Sequence, residues 1–395
     1  RTTANSIGYI WAAMFIALAE QRNVDPNKFG MFIQNDVLKE YVARGTQIFP
    51  AEAGLKLSVD VIEHIATKIP KWVSLAMSGY HIREAGSTAV QEVAFTFANA
   101  REYLDQAIAR GVSVDFVAPT LFTFLSSNID FLPEIAKFRA ARRVWARLMR
   151  EKYDAKDPAS EKLRIFAFTA GSSLTAQQAM NNVVRTSIEM MAAALGGIQT
   201  MHVSAFDEAL GVPTEEAATL ALRTQQVVAF ETGVLDSPDP LAGSFELERM
   251  TDDLEREIWE LLANIEKRGG ALECVNNGYF VNEISENSYK LTMAIESGEK
   301  KVVGVNAFQS ESAPFKPFEI NPKSESEQVA SLKAVRAKRD NKAVTAALEN
   351  LLTVAKAGEN VVPATVEAIK AYATVGEIVN ELRKVYGKWQ PTKIF

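Results

Sequence analysis

The chain has 395 residues, 47% of them hydrophobic and 23% charged, with a formal net charge of -6 and one cysteine. That length supports a large core and more than one ordinary domain. No stretch clusters Lys and Arg as nucleic-acid binding requires, and Cys274 alone excludes an internal disulfide or a cysteine-based metal site and fits a reducing cytoplasm.

The first element is the apolar run 7–19, which ends in Ala-Leu-Ala. With Arg1 as a meagre charged start it imitates a signal peptide, and the missing initiator Met suggests a processed or partial chain. The run falls short of the ~20 apolar residues that span a bilayer. It reads as a buried helix ending near Arg22. Strand-like runs follow at 29–33, 73–78, 116–124, 163–169 and 199–203. Between them lie helical patterns at 85–110, 129–150 and 177–195. Gly111 and Gly197 stand just past two of these helices, where a left-handed residue ends the last turn. Thr175 and Gln178 have the spacing of a capping box before the third. Strand, helix, strand in repetition predicts parallel strands with right-handed crossovers.

From Pro213 the pattern is helical only, at 213–231, 251–268 and 329–387. Pro314, Pro317 and Pro322 mark 307–326 as a linker or wrapping loop. The expected division is an α/β region over 1–212, a helical extension over 213–306, the linker, and a helical region over 327–395. Five strand–helix units do not close an eight-stranded barrel. The expectation is either an open sheet or about three more units from outside this chain.

The run 73–78 alternates large Val73, Leu75 and Met77 with small Ser74, Ala76 and Ser78. Successive strand residues face opposite sides, so one face is bulky and the other nearly bare. A bare face leaves room for a ligand inside a barrel, or lets a helix approach closely. Gly79-Tyr80-His81-Ile82-Arg83-Glu84 comes next, at the carboxyl end of the strand, where barrels carry their chemistry. His64 lies in a helical pattern and reads as structural, whereas His202 ends a predicted strand and stays a candidate.

Several segments together resemble the methylmalonyl-CoA mutase family. They are Ile33-Gln34-Asn35-Asp36-Val37-Leu38-Lys39-Glu40-Tyr41, Ala43-Arg44-Gly45-Thr46-Gln47-Ile48-Phe49-Pro50, Ser78-Gly79-Tyr80-His81, Asn181-Asn182-Val183-Val184-Arg185-Thr186 and Phe206-Asp207-Glu208-Ala209-Leu210. The resemblance implies a TIM barrel of (β/α)8 type, with about five of its units in this chain, and a helical C-terminal region. It implies an acyl-CoA threaded through the lumen and adenosylcobalamin at one end. The reaction implied is a radical carbon-skeleton isomerisation, by default of methylmalonyl-CoA to succinyl-CoA. No metal ligand is expected here; the cobalt ligand belongs to a separate cobalamin-binding subunit or domain, in a dimer or hetero-oligomer.

Carried over by position, the resemblance gives His81 a hydrogen bond to the thioester carbonyl and sets Tyr80 between substrate and corrin. Gln34, Arg44 and Ser78 become substrate contacts, with Arg44 on a free carboxylate. Ala43, Glu84, Gly171, Glu208 and Gly211 become cofactor contacts. Read without the resemblance, Arg44 is a solvated charge at a helix end and Glu208 a helix-start carboxylate.

Six positions depart from the family's polar pattern: Phe32, Thr120, Phe122, Phe166, Phe168 and Ser204. Most exchange a polar partner for a ring, so the tunnel is expected to be narrower and apolar. Two other readings therefore stand beside the first. One is a mutase for a larger or branched acyl group of isobutyryl, 2-hydroxyisobutyryl or ethylmalonyl type. The other is a structural subunit without catalysis.

Overall fold

The computed structural model describes residues 1–311 and 318–391. Its centre is a parallel sheet of β1 (Ala76–Ser78), β2 (Phe122–Ser127), β3 (Arg164–Thr169) and β4 (Thr200–His202), ordered as in the sequence. Two extended segments continue it beyond β1. Val73 N–H donates to Met31 O at 2.8 Å, Ile33 N–H to Val73 O at 3.0 Å and Ala76 N–H to Gln34 O at 2.9 Å. Thr2 N–H donates to Phe32 O at 2.9 Å and Asn35 N–H to Ala4 O at 2.9 Å. Residues 2–4 are thus a sixth parallel segment, one more than the five read from the sequence. They are too short for a period of two to show.

The helices, in chain order, are α1 (Gly8–Gln21), α2 (Ala51–Lys68), α3 (Tyr80–Glu84), α4 (Ala89–Ala109), α5 (Val114–Val117), α6 (Phe131–Arg147) and α7 (Asn181–Leu195). Then come α8 (Glu215–Glu231), α9 (Phe245–Lys267), α10 (Ala271–Asn276), α11 (Tyr279–Glu296), α12 (Ser324–Lys338), α13 (Asn341–Lys356), α14 (Val362–Lys370) and α15 (Val375–Tyr386). The fold is mixed α/β, with a parallel sheet and a helical C-terminal part. None of the described helices is long and apolar enough to cross a membrane. Pro314 and Pro317 lie outside the described residues.

Three local expectations are corrected. The strand expected over 116–124 begins at Phe122, because the Ser113 side chain caps the short α5 and Pro119 sits in the turn Ala118–Thr120. The Thr175 capping box does not form. Gln178 turns left-handed at φ 50°, and the Asn182 side chain takes the Thr175 N–H at 3.1 Å, so α7 starts at Asn181. Helix α9 starts at Phe245, six residues before the pattern suggested. Gly111 and Gly197 are left-handed at φ 83° and 73°, as helix ends require.

Register fixes which side chains share a face. Leu125, Ile165 and Ala167 point with Leu75 and Met77 into a core shared with α4, α6 and α9. Ala76, Phe122 and Arg164 align across the other face, as do Ser78, Phe124 and Phe166. Phe168 and His202 pair further along it. The small face of β1 therefore turns away from the helices and inward. Helices α13, α14 and α15 pack on α1 and α2 through Leu351, Val362 and Ile378.

A buried ion cluster braces the carboxyl end of β2. Lys137 Nζ, fully buried, donates to Glu92 Oε2 at 2.7 Å, Glu134 Oε2 at 2.6 Å and Ser126 O at 2.6 Å. Glu92 Oε1 accepts the Ser126 N–H at 2.6 Å. Gly79 has no room for a side chain, since a Cβ would lie 2.6 Å from Thr96 Oγ1 and 2.8 Å from Leu125 Cδ2. The turn into α3 is thereby pressed onto β2. Lys137→Met leaves Glu92 buried without its paired cation and Glu134 with Arg83 alone, and is expected to lower the unfolding free energy by about 3–5 kcal/mol at neutral pH. Urea unfolding checks this, and a loss below about 1 kcal/mol would contradict it.

Candidate active site

The inner face of the sheet is floored with aromatic rings. Phe32 lies 5.9 Å from both Phe122 and Phe124, centroid to centroid, and Phe124 lies 5.0 Å from Phe166. Phe166 meets Phe168 at 4.6 Å, and Phe168 meets Tyr80 at 4.9 Å and His202 at 5.2 Å. These spacings are those of favourable offset and edge contacts. The rings surround a cavity of about 150 Å³, edged by Arg1, Thr2, Thr3 and Thr200. Ala76 and Ser78 are buried in the same sheet face. The room left by the small residues of β1 is thus largely taken by the phenylalanines. At the amino end Arg164, which the sequence reading passed over, stacks 4.3 Å above Phe122.

A polar group sits at the carboxyl end. Asp36 is buried, accepts the Ser78 N–H at 2.8 Å and receives the Tyr103 hydroxyl at 2.9 Å. Burial pushes its carboxyl up to about 6, against the pull of Lys39. Lys39 is wholly buried. Its Nζ donates to Gln34 Oε1 at 3.1 Å, meets His81 Nδ1 at 3.3 Å and pairs with Glu40 Oε1 at 3.3 Å. Burial lowers this ammonium to about 8, with Glu40 and Asp36 opposing. Burial, then the cations of Lys39 and Arg44, push the His81 imidazole down to about 2, so it is neutral.

Glu40 ties the segment together. Asn5 Nδ2 donates to its Oε1 at 2.6 Å, and Thr46 donates to its Oε2 from both N–H and hydroxyl. Arg44 ends the turn Glu40–Arg44, before left-handed Gly45, with its side chain 37% exposed and 3.6 Å from Glu40. It is neither free nor saturated. Ala43 packs on the main core.

A second group adjoins Tyr80. Glu84 accepts from Ser172 N–H at 2.7 Å and Ser172 Oγ at 3.1 Å. Burial, outweighing those bonds, raises its carboxyl to about 7. Gly171 lies between acids: a Cβ there would stand 2.5 Å from Glu208 Oε1 and 3.3 Å from Glu84 Oε2. Burial raises the Tyr80 phenol, helped by Glu84 and Glu208. Glu189 was not singled out in the sequence. Its Oε1 accepts from Ser173 Oγ, its Oε2 is buried without a partner among the described residues, and burial lifts it to about 9. The apolar neighbours in Ile188-Glu189-Met190-Met191 were the available signal.

The structure thus gathers Gln34, Arg44, Ser78, Tyr80, His81, Glu84, Gly171, Glu208 and His202 at one end of the sheet. Gly211 lies in an exposed turn, its N–H on Asp207 O at 3.2 Å. The hydroxyls of Thr120 and Ser204 are spent on Val117 O at 2.8 Å and Thr169 O at 3.2 Å.

A family model described as Methylmalonyl-CoA mutase matches residues 1–388. The 2-hydroxyisobutanoyl-CoA mutase large subunit of Aquincola tertiaricarbonis is 41% identical over 397 residues, covering all of this chain and 70% of that protein. The methylmalonyl-CoA mutases of Rhizobium meliloti and Escherichia coli are 40% and 38% identical, over 95% of this chain and 53% of each relative. The chain thus spans about half the length of those two mutases.

The raised Glu84 carboxyl has a thermodynamic sign. A proton bound more tightly in the folded state contributes stability below the unfolded value, and that contribution is lost as pH rises through about 7. Glu84→Gln keeps one acceptor oxygen and cannot titrate. The melting temperature of the variant relative to the parent is therefore expected to rise from pH 5 to pH 8. An equal difference at both pH values would contradict this.

Proposed function

The chain belongs to the methylmalonyl-CoA mutase family, and on that premise we propose that it forms the acyl-CoA-binding part of an adenosylcobalamin-dependent carbon-skeleton isomerase. The observation that carries the proposal is His81 and Gln34, both held by Lys39, beside Arg44 at the carboxyl end of an apolar inner face.

In this reading the thioester carbonyl accepts from His81 and Gln34. A placed donor in a dry site stabilises charge on the oxygen far better than water does. Arg44 pairs with a free carboxylate, for which its fork is well shaped. That favours a malonyl-type substrate, with methylmalonyl-CoA converted to succinyl-CoA as the default. The phenylalanine floor keeps water from the reacting carbons.

Adenosylcobalamin, when bound, supplies a carbon-centred radical. Tyr80, Glu84, Gly171 and Glu208 are the residues to hold its adenosyl side. Their chemistry fits: two carboxylates flank a position with no side chain, as ribose hydroxyls need, beside the faces of Tyr80 and Phe168. The cobalt ligand is assigned to a separate cobalamin-binding subunit or domain. Support comes from the relative named a large subunit. The single, buried Cys274 agrees with a cytoplasmic setting.

One observation favours a second reading. Phe32, Phe122, Phe124, Phe166 and Phe168 line a cavity of about 150 Å³ with rings, which suits an apolar acyl branch better than polar pantetheine contacts. The intact protein, supplied with a cobalamin subunit, adenosylcobalamin and a panel of acyl-CoAs, separates these readings. Turnover of carboxylated acyl-CoAs is expected, and Arg44→Gln should abolish their preference over uncharged ones. Turnover of isobutyryl-CoA alone would reject the role of Arg44. No turnover, with no change in the cobalamin spectrum, would leave a structural subunit. His81→Ala is expected to slow turnover by about 10²–10³, the scale of one lost oxyanion donor. An unchanged rate would remove His81 from the chemistry.

A further inference from the structure

We infer that Lys39 is a positioning residue that fixes the polarity of the site: it turns the acceptor atoms of Gln34 and His81 towards itself, so each side chain presents a donor on its other side. An ammonium has hydrogens and no lone pair. Gln34 Oε1 at 3.1 Å and His81 Nδ1 at 3.3 Å must therefore both accept from it, and Glu40 Oε1 at 3.3 Å takes the third direction.

Two consequences follow from valence. A neutral imidazole carries one ring proton. With Nδ1 accepting, that proton is on Nε2, so His81 offers an N–H. A carboxamide has its oxygen and nitrogen on opposite branches. With Oε1 turned to Lys39, the Gln34 NH2 points the other way. Neither His81 Nε2 nor Gln34 Nε2 takes a partner among the described residues, and neither is sealed from solvent. Without Lys39 either group can invert: the amide can flip and the imidazole can change tautomer. Each inversion sets a lone pair against an incoming oxygen.

Lys39 is itself rigidly held. It is completely buried, its partner Glu40 is anchored by Asn5 and Thr46, and its neighbour Asp36 is anchored by Ser78 and Tyr103. This arrangement recognises an oxygen acceptor with two lone pairs, such as a carbonyl, and rejects a donor. The identity of that oxygen as a thioester carbonyl rests on the acyl-CoA reading; the polarity of the two side chains does not.

The test has two arms on the intact protein. Ring-¹⁵N-histidine labelling, with magic-angle-spinning NMR and His81→Ala for assignment among the three histidines, reads the His81 tautomer directly. The proton is expected on Nε2 in the parent. A proton on Nδ1, or on both nitrogens at neutral pH, would overturn the inference whatever the protein binds. The second arm measures dissociation constants for an acyl-CoA thioester and for the matching thioether that lacks the carbonyl oxygen. The parent is expected to prefer the thioester, and Lys39→Met to cut that preference about tenfold, the scale of a lost hydrogen bond or two. Both ligands are read on the same folded fraction, so a lysine needed only for stability would weaken both equally and leave their ratio unchanged. That result would overturn the inference. If Lys39→Met does not fold, the parent tautomer decides. If the parent binds neither CoA derivative, the acyl-CoA reading fails and the first arm still decides the polarity.

Discussion

A parallel strand can show one set of side chains to its helices and another to its inner side, and the two sets must differ in chemistry. That alternation organises this molecule. Leu75, Met77, Leu125, Ile165 and Ala167 bind the sheet to its helices, while Phe122, Phe124, Phe166 and Phe168 floor the other side. The alternating faces then end together, because all the strands run one way. Polar groups placed within a few residues of the strand ends meet at a single edge.

At that edge the structure concentrates buried charge. Lys39, Asp36 and Glu40 are each nearly inaccessible, and each is held by hydrogen bonds from other elements. Burying charges costs more than a lone ion pair returns. Here the ions are connected to backbone N–H groups and to one another, so none lacks a partner. The neutral His81 and the titratable Glu84 take their character from this dry setting rather than from their own chemistry. Their unusual protonation is a property of position.

Much of this was legible in the sequence. The alternation over 73–78 announced two unlike faces, and the register of β1 on β2 settles which face looks inward. Residues 79–84 announced polar chemistry at a strand end, and the fold sets them against Phe168, Ser172 and Lys39. The phenylalanines signalled a narrower, apolar interior, and their rings line a cavity of about 150 Å³. Other features left no local trace. Residues 2–4 are a strand only because residues 32–35 lie beside them. Asp36 and Lys39 stood in plain view on either side of Val37 and Leu38, yet a buried ion looks like a surface ion until its partners 67 and 42 positions away are known. Glu189 is similar, an acid whose apolar neighbours were the only hint of burial. Helix starts were misjudged where a side chain such as Asn182 outcompeted the expected cap.

The central claim is that the edge of the sheet receives a thioester oxygen between His81 and Gln34. Infrared difference spectra of a ¹³C-carbonyl acyl-CoA bound to the intact protein test it most directly. Hydrogen-bond donation weakens the carbonyl bond, so the stretch should fall below its value in water on binding, and the fall should shrink in His81→Ala. A band that stays at its solution position or moves upward would mean that the oxygen meets an apolar wall, and the account given for this edge would be wrong.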